Sequence, residues 1–214
     1  MPFGKTAEGF TPQIYLRLLT MHISLFGGAF DPPHLGHLQV ITDLLLNKIA
    51  DQVWLVPTGV HDFQKMMHSA DDRLEMLELL ISQLPINLQK QTRIESCELE
   101  RPGISHTIDT LEYLSAKYPQ HTFSFVIGSD NLDKFHLWHG YQRILEKYKV
   151  FVYPRANFPM KPFYQGMIAL LNVKPIVVSS TEIKKRLKEE LSVTDYLPNS
   201  ILDFITHNKL YLSD

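Results

Sequence analysis

The sequence predicts an α/β fold with a mainly parallel sheet and helices on both faces. From Met21 onward, short apolar runs alternate with amphipathic segments, and this alternation is typical of strands that are each followed by a helix. Several of the runs are almost continuously apolar, as expected for strands that are buried on both faces. With right-handed crossovers, such a sheet binds ligands at the carboxyl ends of its strands, near the point where the strand order reverses.

The individual elements follow from the same patterns. The apolar runs predict strands over residues 23–26, 53–56, 93–98, 123–127, 150–153 and 176–178. Apolar residues at helical spacing predict helices over residues 37–49, 71–84, 108–118, 131–148 and 181–191. A closing helix is expected over residues 201–212, beginning just after Pro198. The irregular stretch 154–162 is interpreted as a surface loop within the same domain.

Length and composition favour one globular domain. The chain has 214 residues, and we expect residues 21–214 to form a single domain, with residues 1–20 as an N-terminal extension. The net charge of −2 argues against broad capture of nucleic acid. No apolar stretch is long enough to span a bilayer, and the first twenty residues lack the long apolar run of a secretory signal.

A single cysteine limits the redox chemistry of the chain. Cys97 excludes an intrachain disulfide and a cysteine-based zinc cage. This usage is typical of a reducing cytoplasm, so a cytoplasmic protein is expected. We interpret Cys97 as a small buried hydrophobic residue. The composition leaves a homo-oligomer open.

The strongest chemical pattern lies between the first strand and the first helix. Two glycines there allow a ligand to approach the backbone closely. His34 and His37 are three residues apart, so both can face the same side at a helix N-terminus, where backbone N–H groups already favour phosphate. Alternatives are a pair of solvated or core histidines, or a metal pair, but no further ligand spacing supports a protein metal site. The run reads Gly27-Gly28-Ala29-Phe30-Asp31-Pro32-Pro33-His34-Leu35-Gly36-His37.

A second pattern follows the last apolar run. Ser179, Ser180 and Thr181 are favourable N-cap residues, and their hydroxyl and amide groups would present hydrogen-bond donors at a helix start. Lys184 lies one turn further on and can reach the same anion, with Arg186 close by. The alternative is a capped surface helix with a solvated basic face.

Two further segments follow strands or precede helices. Gly128 permits close backbone approach, and Asp130 could accept hydrogen bonds from ribose hydroxyls or else cap the next helix. Trp138 could be a core residue or could stack on a flat heterocycle. His106 and Thr107 precede an expected helix, with Thr107 as its predicted cap.

These motifs together resemble the nucleotidylyltransferase superfamily, whose hallmark is His-x-Gly-His at the start of the first helix. The longer run around it is similar to the nicotinate (or nicotinamide) mononucleotide adenylyltransferase family in particular, and the resemblance covers residues 21–212. It implies a Rossmann-like nucleotidylyltransferase fold. It also implies adenylyl transfer from ATP to a pyridine mononucleotide, with Mg²⁺ bound to the ATP phosphates.

The resemblance implies roles for the residues of each motif. His34, His37 and Lys184 would be catalytic. Thr107 and Trp138 would hold the pyridine, together with His106 in place of the family's common tyrosine, and Lys65 would contact substrate. The residues assigned to ATP are Gly27, Gly28, Ala29, Phe30, Gly128, Asp130, Ser179, Ser180, Thr181 and Arg186.

The sequence departs from the family pattern at two places. Lys184 stands where arginine is usual, so an ammonium replaces a bidentate guanidinium, and either Lys184 suffices or Arg186 shares the task. In the loop at residues 61–65 only Lys65 remains of the family's Pro-Pro-His-Lys, with Gln64 before it and His61 as a possible substitute.

Nicotinate mononucleotide is the favoured acceptor, because a carboxylate gains more than a carboxamide from the helix start near Thr107. The alternatives are a related transferase with another phosphate acceptor, such as phosphopantetheine, and a catalytically silent nucleotide-binding module.

Overall fold

Six strands form one sheet in the order β3-β2-β1-β4-β5-β6, and each neighbouring pair is parallel. The structure is a computed structural model that describes residues 20–59 and 67–211. The strands are β1 (His22–Gly28), β2 (Gln52–Pro57), β3 (Thr92–Ile94), β4 (Thr122–Gly128), β5 (Lys149–Tyr153) and β6 (Met167–Ala169). The α-helices are α1 (Leu35–Leu46), α2 (Ala70–Ser82), α3 (Ile86–Gln89), α4 (Cys97–Glu100), α5 (Thr107–Lys117), α6 (Tyr141–Lys147), α7 (Ser180–Lys188) and α8 (Asn199–His207). A 3-10 helix covers Ser129–Leu137.

Two hydrophobic cores, one on each face of the sheet, hold the helices in place. Alternate residues of a strand point to opposite faces, so Val53 and Leu55 of β2 enter one core while Trp54 and Val56 enter the other. The first core also contains α1, α2, α7 and α8, and the second contains α5, α6 and the 3-10 helix. The predicted Rossmann-like arrangement, with a parallel sheet covered on both faces, is therefore confirmed.

The strand predicted over residues 93–98 is mostly wrong. β3 ends at Ile94, where its pairing with β2 ends, and the chain then turns into the short helix α4. The polar end of this segment has partners outside the sheet, since Glu98 accepts a 2.7 Å hydrogen bond from Thr110. Cys97 is buried, as predicted, but it lies in α4 rather than in a strand.

The sixth strand of the sheet is not the predicted one. Residues 176–178 contribute only an isolated bridge between Ile176 and Arg155, and the edge of the sheet is β6. A three-residue edge strand has too short an apolar pattern to stand out in the sequence. Ile176 instead packs on α1: a Cβ at Gly36 would lie 2.7 Å from the Ile176 side chain.

The helix predicted over residues 131–148 is divided into two. Gly140 has a φ of +62°, in the left-handed region that favours glycine, and it separates the 3-10 helix from α6. Trp138 lies in the extended connection between them. The closing helix α8 begins directly after Pro198, as expected, but ends at His207, because Lys209 and Tyr211 have positive φ values.

Some predictions fall on residues outside the described ranges. These are the proposed extension, apart from Thr20, and the loop that carries His61, Gln64 and Lys65. Within residues 20–59 and 67–211, none of the helices has the length and apolarity that crossing a bilayer requires.

Candidate active site

A cavity of about 480 Å³ opens at the carboxyl ends of β1 and β4. These two strands are central in the sheet, and the chain leaves them toward opposite edges, so the cavity lies at the switch in strand order. Nine of the residues selected from the sequence line it: Gly27, Gly28, Ala29, His37, His106, Thr107, Gly128, Asp130 and Trp138. The histidine run, the segments after β4 and the start of α5, which are far apart in the sequence, therefore meet at one place.

The histidine pair is fixed by reciprocal capping of α1. His34 is the N-cap residue, and its Nδ1 accepts a 3.1 Å hydrogen bond from the Gly36 N–H. His37 Nδ1 accepts a 3.1 Å hydrogen bond from the His34 N–H. The two rings stack with centroids 3.7 Å apart, and Phe30 packs edge-on against His37. A neutral ring that accepts at Nδ1 carries its proton on Nε2, so each imidazole keeps one N–H donor.

Both imidazoles are held in the neutral state. Burial lowers the pKa of His34 well below its ordinary value, and the neighbouring His37 and Arg155 lower it further. Burial, followed by the positive charge of Arg155, lowers the pKa of His37 to about 3. The pair therefore presents neutral N–H donors beside the cavity rather than a pair of cations.

Arg155 is a cavity residue that the sequence analysis missed. It follows β5, lines the cavity, and donates a 2.9 Å hydrogen bond to the Val178 carbonyl. Its Nε lies 3.4 Å from an Asp130 carboxylate oxygen, without hydrogen-bond geometry. The only sequence signal was an arginine directly after an apolar run, within a stretch that we interpreted as a surface loop. The long-range pairing of β5 with β4 brings it to the site.

Gly128 is required by this arrangement. A Cβ at that position would lie 2.2 Å from the Asp130 carboxylate and 2.7 Å from the Arg155 side chain. Gly128 itself precedes the 3-10 helix, and Asp130 lies in its first turn rather than capping it. Glycine therefore allows the carboxylate and the guanidinium to approach each other at the cavity wall.

Aromatic and imidazole rings form the opposite side of the cavity. His106 stacks on His139 with ring centroids 4.4 Å apart, and both line the cavity. Trp138 is half-buried and packs against Phe135 at 5.3 Å between centroids. His106 is the N-cap residue of α5, so Thr107 is the first helical residue and not the predicted cap. His139 was missed because one exposed histidine in a connection has no distinguishing pattern.

The serine and threonine run lies at the start of α7, beyond the residues that line the cavity. Ser179 is its N-cap, and its hydroxyl accepts a 3.2 Å hydrogen bond from the Glu182 N–H. Ser180 donates a 2.9 Å hydrogen bond to the Pro32 carbonyl, which joins α7 to the histidine loop. Thr181 is exposed at the first turn of the helix.

The two basic residues of α7 have different neighbours. Lys184 Nζ lies 2.9 Å from an Asp31 carboxylate oxygen, beside the histidine loop. Arg186 Nε donates to the Ser192 carbonyl at 2.9 Å, and its guanidinium lies 5.2 Å from the Tyr196 ring. Arg186 therefore contacts the segment after α7, whereas Lys184 faces the histidine loop.

A family model described as cytidylyltransferase-like matches residues 25–186 of the chain. That range includes both histidines, the cavity strands and the start of α7. The chain belongs to the cytidylyltransferase-like family.

Curated relatives narrow this class. A protein of Oceanobacillus iheyensis named "Probable nicotinate-nucleotide adenylyltransferase" is 32% identical over 190 residues, covering 88% of this chain and 96% of the relative. A protein of the same name from Flavobacterium johnsoniae is 33% identical over 200 residues, covering 89% of this chain and 99% of the relative. Within the class, the chain belongs to the nicotinate-nucleotide adenylyltransferase family, as the resemblance implied.

The fold is shared with a solved structure of the same kind. Nicotinic acid mononucleotide adenylyltransferase of Plasmodium falciparum, in a complex with NaAD, matches with a TM-score of 0.77 and 22% identity. The match covers 89% of this chain and 97% of that one. At this level of identity, the comparison establishes the common fold.

Proposed function

We propose that this chain is an enzyme that transfers the adenylyl group of ATP to nicotinate mononucleotide and releases pyrophosphate. The observation that carries the proposal is the stacked, neutral pair of His34 and His37 at the start of α1, beside a cavity at the strand switch. Their Nε2–H groups are fixed donors where the backbone N–H groups of the helix already attract phosphate.

The reaction needs positioning and charge stabilisation. An oxygen of the mononucleotide phosphate attacks the α-phosphorus of ATP in line, a new P–O bond forms, and the bond to the pyrophosphate oxygen breaks. Preorganised N–H donors stabilise the negative charge on the phosphate oxygens during this step. His37 supplies an N–H donor at the cavity wall, and Arg155 supplies a positive charge there. His34 fixes the His37 ring by stacking on it and by donating its backbone N–H to His37 Nδ1.

The other residues assigned to ATP lie at the cavity wall and at the start of α7. Gly27, Gly28 and Gly128 leave space for ATP against the backbone, and the Asp130 carboxylate accepts from the ribose hydroxyls. The backbone amides of residues 179–181 and the hydroxyls of Ser179 and Thr181, together with Lys184, bind the triphosphate from the start of α7, while the Ser180 hydroxyl donates to the Pro32 carbonyl. We continue to assign Lys65 to substrate, although it lies outside the described residues.

Magnesium enters as part of the nucleotide substrate. Within the described ranges, no group of three or more His, Cys, Asp or Glu side chains is arranged to hold a metal ion. The Asp31 carboxylate, which follows the glycines, is already bonded to Lys184 and Tyr211. Mg²⁺ would be held by the ATP phosphates, where it would neutralise part of their negative charge.

The acceptor end of the cavity favours a carboxylate. α5 begins at Thr107, so its first-turn amides carry positive partial charge on the side that His106 and His139 also line. Trp138 offers a flat ring to the pyridine. These features favour nicotinate mononucleotide over its amide.

Pyrophosphate release measured with nicotinate mononucleotide, nicotinamide mononucleotide and phosphopantetheine, each with ATP and Mg²⁺, tests the proposal. We expect the highest specificity constant with nicotinate mononucleotide. A clear preference for the amide would replace the acceptor and leave adenylyl transfer in place. Turnover of phosphopantetheine alone would indicate the related transferase, and no turnover with any acceptor would indicate a silent nucleotide-binding module.

Two properties of the working enzyme remain predictions. A cytoplasmic location is expected, because the enzyme would draw on ATP and because its one cysteine suits a reducing compartment. Light scattering on the purified chain would measure whether it forms a homo-oligomer.

A further inference from the structure

Four segments of the chain meet at one buried carboxylate beside the cavity. We call this group the Asp31 cluster: Asp31 from the histidine loop, His68 from the segment before α2, Lys184 from α7 and Tyr211 from the segment after α8. Asp31 is 1% exposed. A buried carboxylate is costly unless it is paired and hydrogen-bonded, so these contacts are needed for the folded state.

Each oxygen of Asp31 has its own partner. Oδ2 pairs with Lys184 Nζ at 2.9 Å. Oδ1 accepts from the Tyr211 hydroxyl at 2.6 Å and lies 3.2 Å from His68 Nδ1. Burial raises the pKa of the Asp31 carboxyl, but the hydrogen bonds from Tyr211 and Lys184 outweigh it, and the pKa lies below its usual value. Asp31 therefore stays charged and keeps its bond to Lys184.

Tyr211 combines an unfavourable backbone conformation with a buried side chain that has several partners. Its φ is +61°, in the left-handed region that bulky residues rarely adopt. Its side chain is nonetheless buried, with the ring 4.0 Å from the His68 ring and 5.8 Å from Lys184 Nζ. Such strain persists only where the surroundings over-determine it, and it is found most often at functional sites.

A fixed lysine binds phosphate better than a mobile one. A mobile lysine side chain loses rotamer entropy when its ammonium is immobilised on a ligand. In the Asp31 cluster the ammonium is already held by one carboxylate oxygen, and its remaining donors are available to a phosphate. The Lys184 side chain is 20% exposed, so it can still meet a ligand.

We propose that Tyr211 is a positioning residue for ATP: its hydroxyl fixes the Asp31 carboxylate, which in turn holds Lys184 in place for the triphosphate. The proposal rests on the proposed function, because Lys184 must bind ATP. Ser180, which donates to the Pro32 carbonyl next to Asp31, fixes the start of α7 to the same loop. The segment after α8 thereby acts on a site to which it contributes no lining residue among those described.

A double-mutant cycle tests this inference. Tyr211→Phe keeps the ring and removes the hydroxyl, and we expect it to raise KM for ATP about tenfold, as for loss of a hydrogen bond to a charged group. KM for the mononucleotide should change by less than about twofold, because Lys184 acts on the triphosphate and the acceptor binds at a separate site. Lys184→Met should also raise KM for ATP, and Tyr211→Phe should then add no further increase, because its effect passes through Lys184.

Tyr148→Phe is the matched control. Tyr148 directly precedes β5, at the end of the sheet opposite the carboxyl ends of the strands, and its hydroxyl lies 3.2 Å from the Ser115 hydroxyl. Tyr148→Phe removes a comparable tyrosine hydroxyl and should leave KM for ATP unchanged. If Tyr211→Phe does not fold, Asp31→Asn replaces it, with the same expected increase and the same dependence on Lys184.

The outcomes separate this inference from the proposed function. An unchanged KM for ATP in Tyr211→Phe overturns the inference, as does a full tenfold increase in the Lys184→Met background. An unchanged KM in Lys184→Met overturns it too, since Tyr211 would have nothing to act through. In each of these cases the wild-type chain still releases pyrophosphate, whereas failure of the proposed function would remove that activity from the wild type itself.

Discussion

The two corners of the cavity, one after β1 and one formed after β4 and β5, are built in different ways. After β1, the hydrogen bonds that orient the His34 and His37 rings lie within one short run, because each ring caps a backbone N–H of the same turn. After β4 and β5, Asp130 and Arg155 come from separate segments and meet only because the strands pair. Local hydrogen bonds produce a neutral donor pair in the first corner, and long-range packing produces a charged pair in the second.

The largest expected effect concerns the first corner. His37→Ala removes a preorganised N–H donor, and loss of such a donor lowers kcat by about 10²–10³. The fold and ATP binding should be largely retained, because the ring is at the cavity wall and not at the centre of a core. Steady-state kinetics with thermal melting would measure both. His136→Ala, on the exposed face of the 3-10 helix, is the control, and a folded His37→Ala enzyme with wild-type kcat would remove His37 from the mechanism.

Substitution in the second corner should have a smaller effect than in the first, and it should change ATP binding as well as the rate. Arg155→Gln removes a cation that makes charge-assisted contacts, so kcat/KM for ATP should fall about 10- to 100-fold. Arg155→Lys should restore only part of this, because an ammonium cannot reproduce the guanidinium fork. Arg143→Gln, which breaks a surface ion pair with Glu112, should have little effect. An Arg155→Gln enzyme with unchanged kcat/KM would show that the second corner takes no part in ATP binding.

The same contrast explains what the sequence could and could not predict. The histidine run, with its glycines, predicted both its helix start and its common face, since capping is a local property of adjacent residues. Arg155 and His139 were missed because their roles depend on the pairing of β4 with β5 and on the connection around Trp138. The edge strand was misassigned for a similar reason: β6 is three residues long, while Ile176 and Val178 of the more apolar run pack on α1.

A third prediction uses the burial of the first corner. The pKa of His37 in the folded state is about 3, and burial holds the pKa of His34 well below the ordinary histidine value of 6.5. The unfolded chain therefore binds more protons than the folded one below about pH 6.5, and stability must fall as pH falls. The slope is at most about 1.4 kcal/mol per pH unit for each histidine.

Urea unfolding at pH 7.0 and 5.5 would measure this slope in the wild type and in His37→Gln. The free energy of unfolding of His37→Gln should depend less on pH, because one titrating histidine has been removed. The contributions of the other titrating groups are the same in both proteins and cancel in the comparison. Equal slopes in the two proteins would mean that the His37 ring is protonated in the folded state, contrary to the neutral pair described here.

The smallest expected effect lies at the acceptor end of the cavity, opposite the two corners, at Trp138. If its ring stacks on the pyridine, Trp138→Leu removes an aromatic contact of about 0.5–1.5 kcal/mol, which corresponds to a 2- to 10-fold increase in KM for the mononucleotide. KM for ATP should stay the same, because the phosphate-binding groups lie on the other side of the cavity. Trp138→Phe should give an intermediate value, since it keeps a smaller ring against Phe135. If Trp138→Leu instead raises KM for both substrates equally, or lowers only the melting temperature, Trp138 is a packing residue, and recognition of the pyridine belongs to His106, His139 and the start of α5.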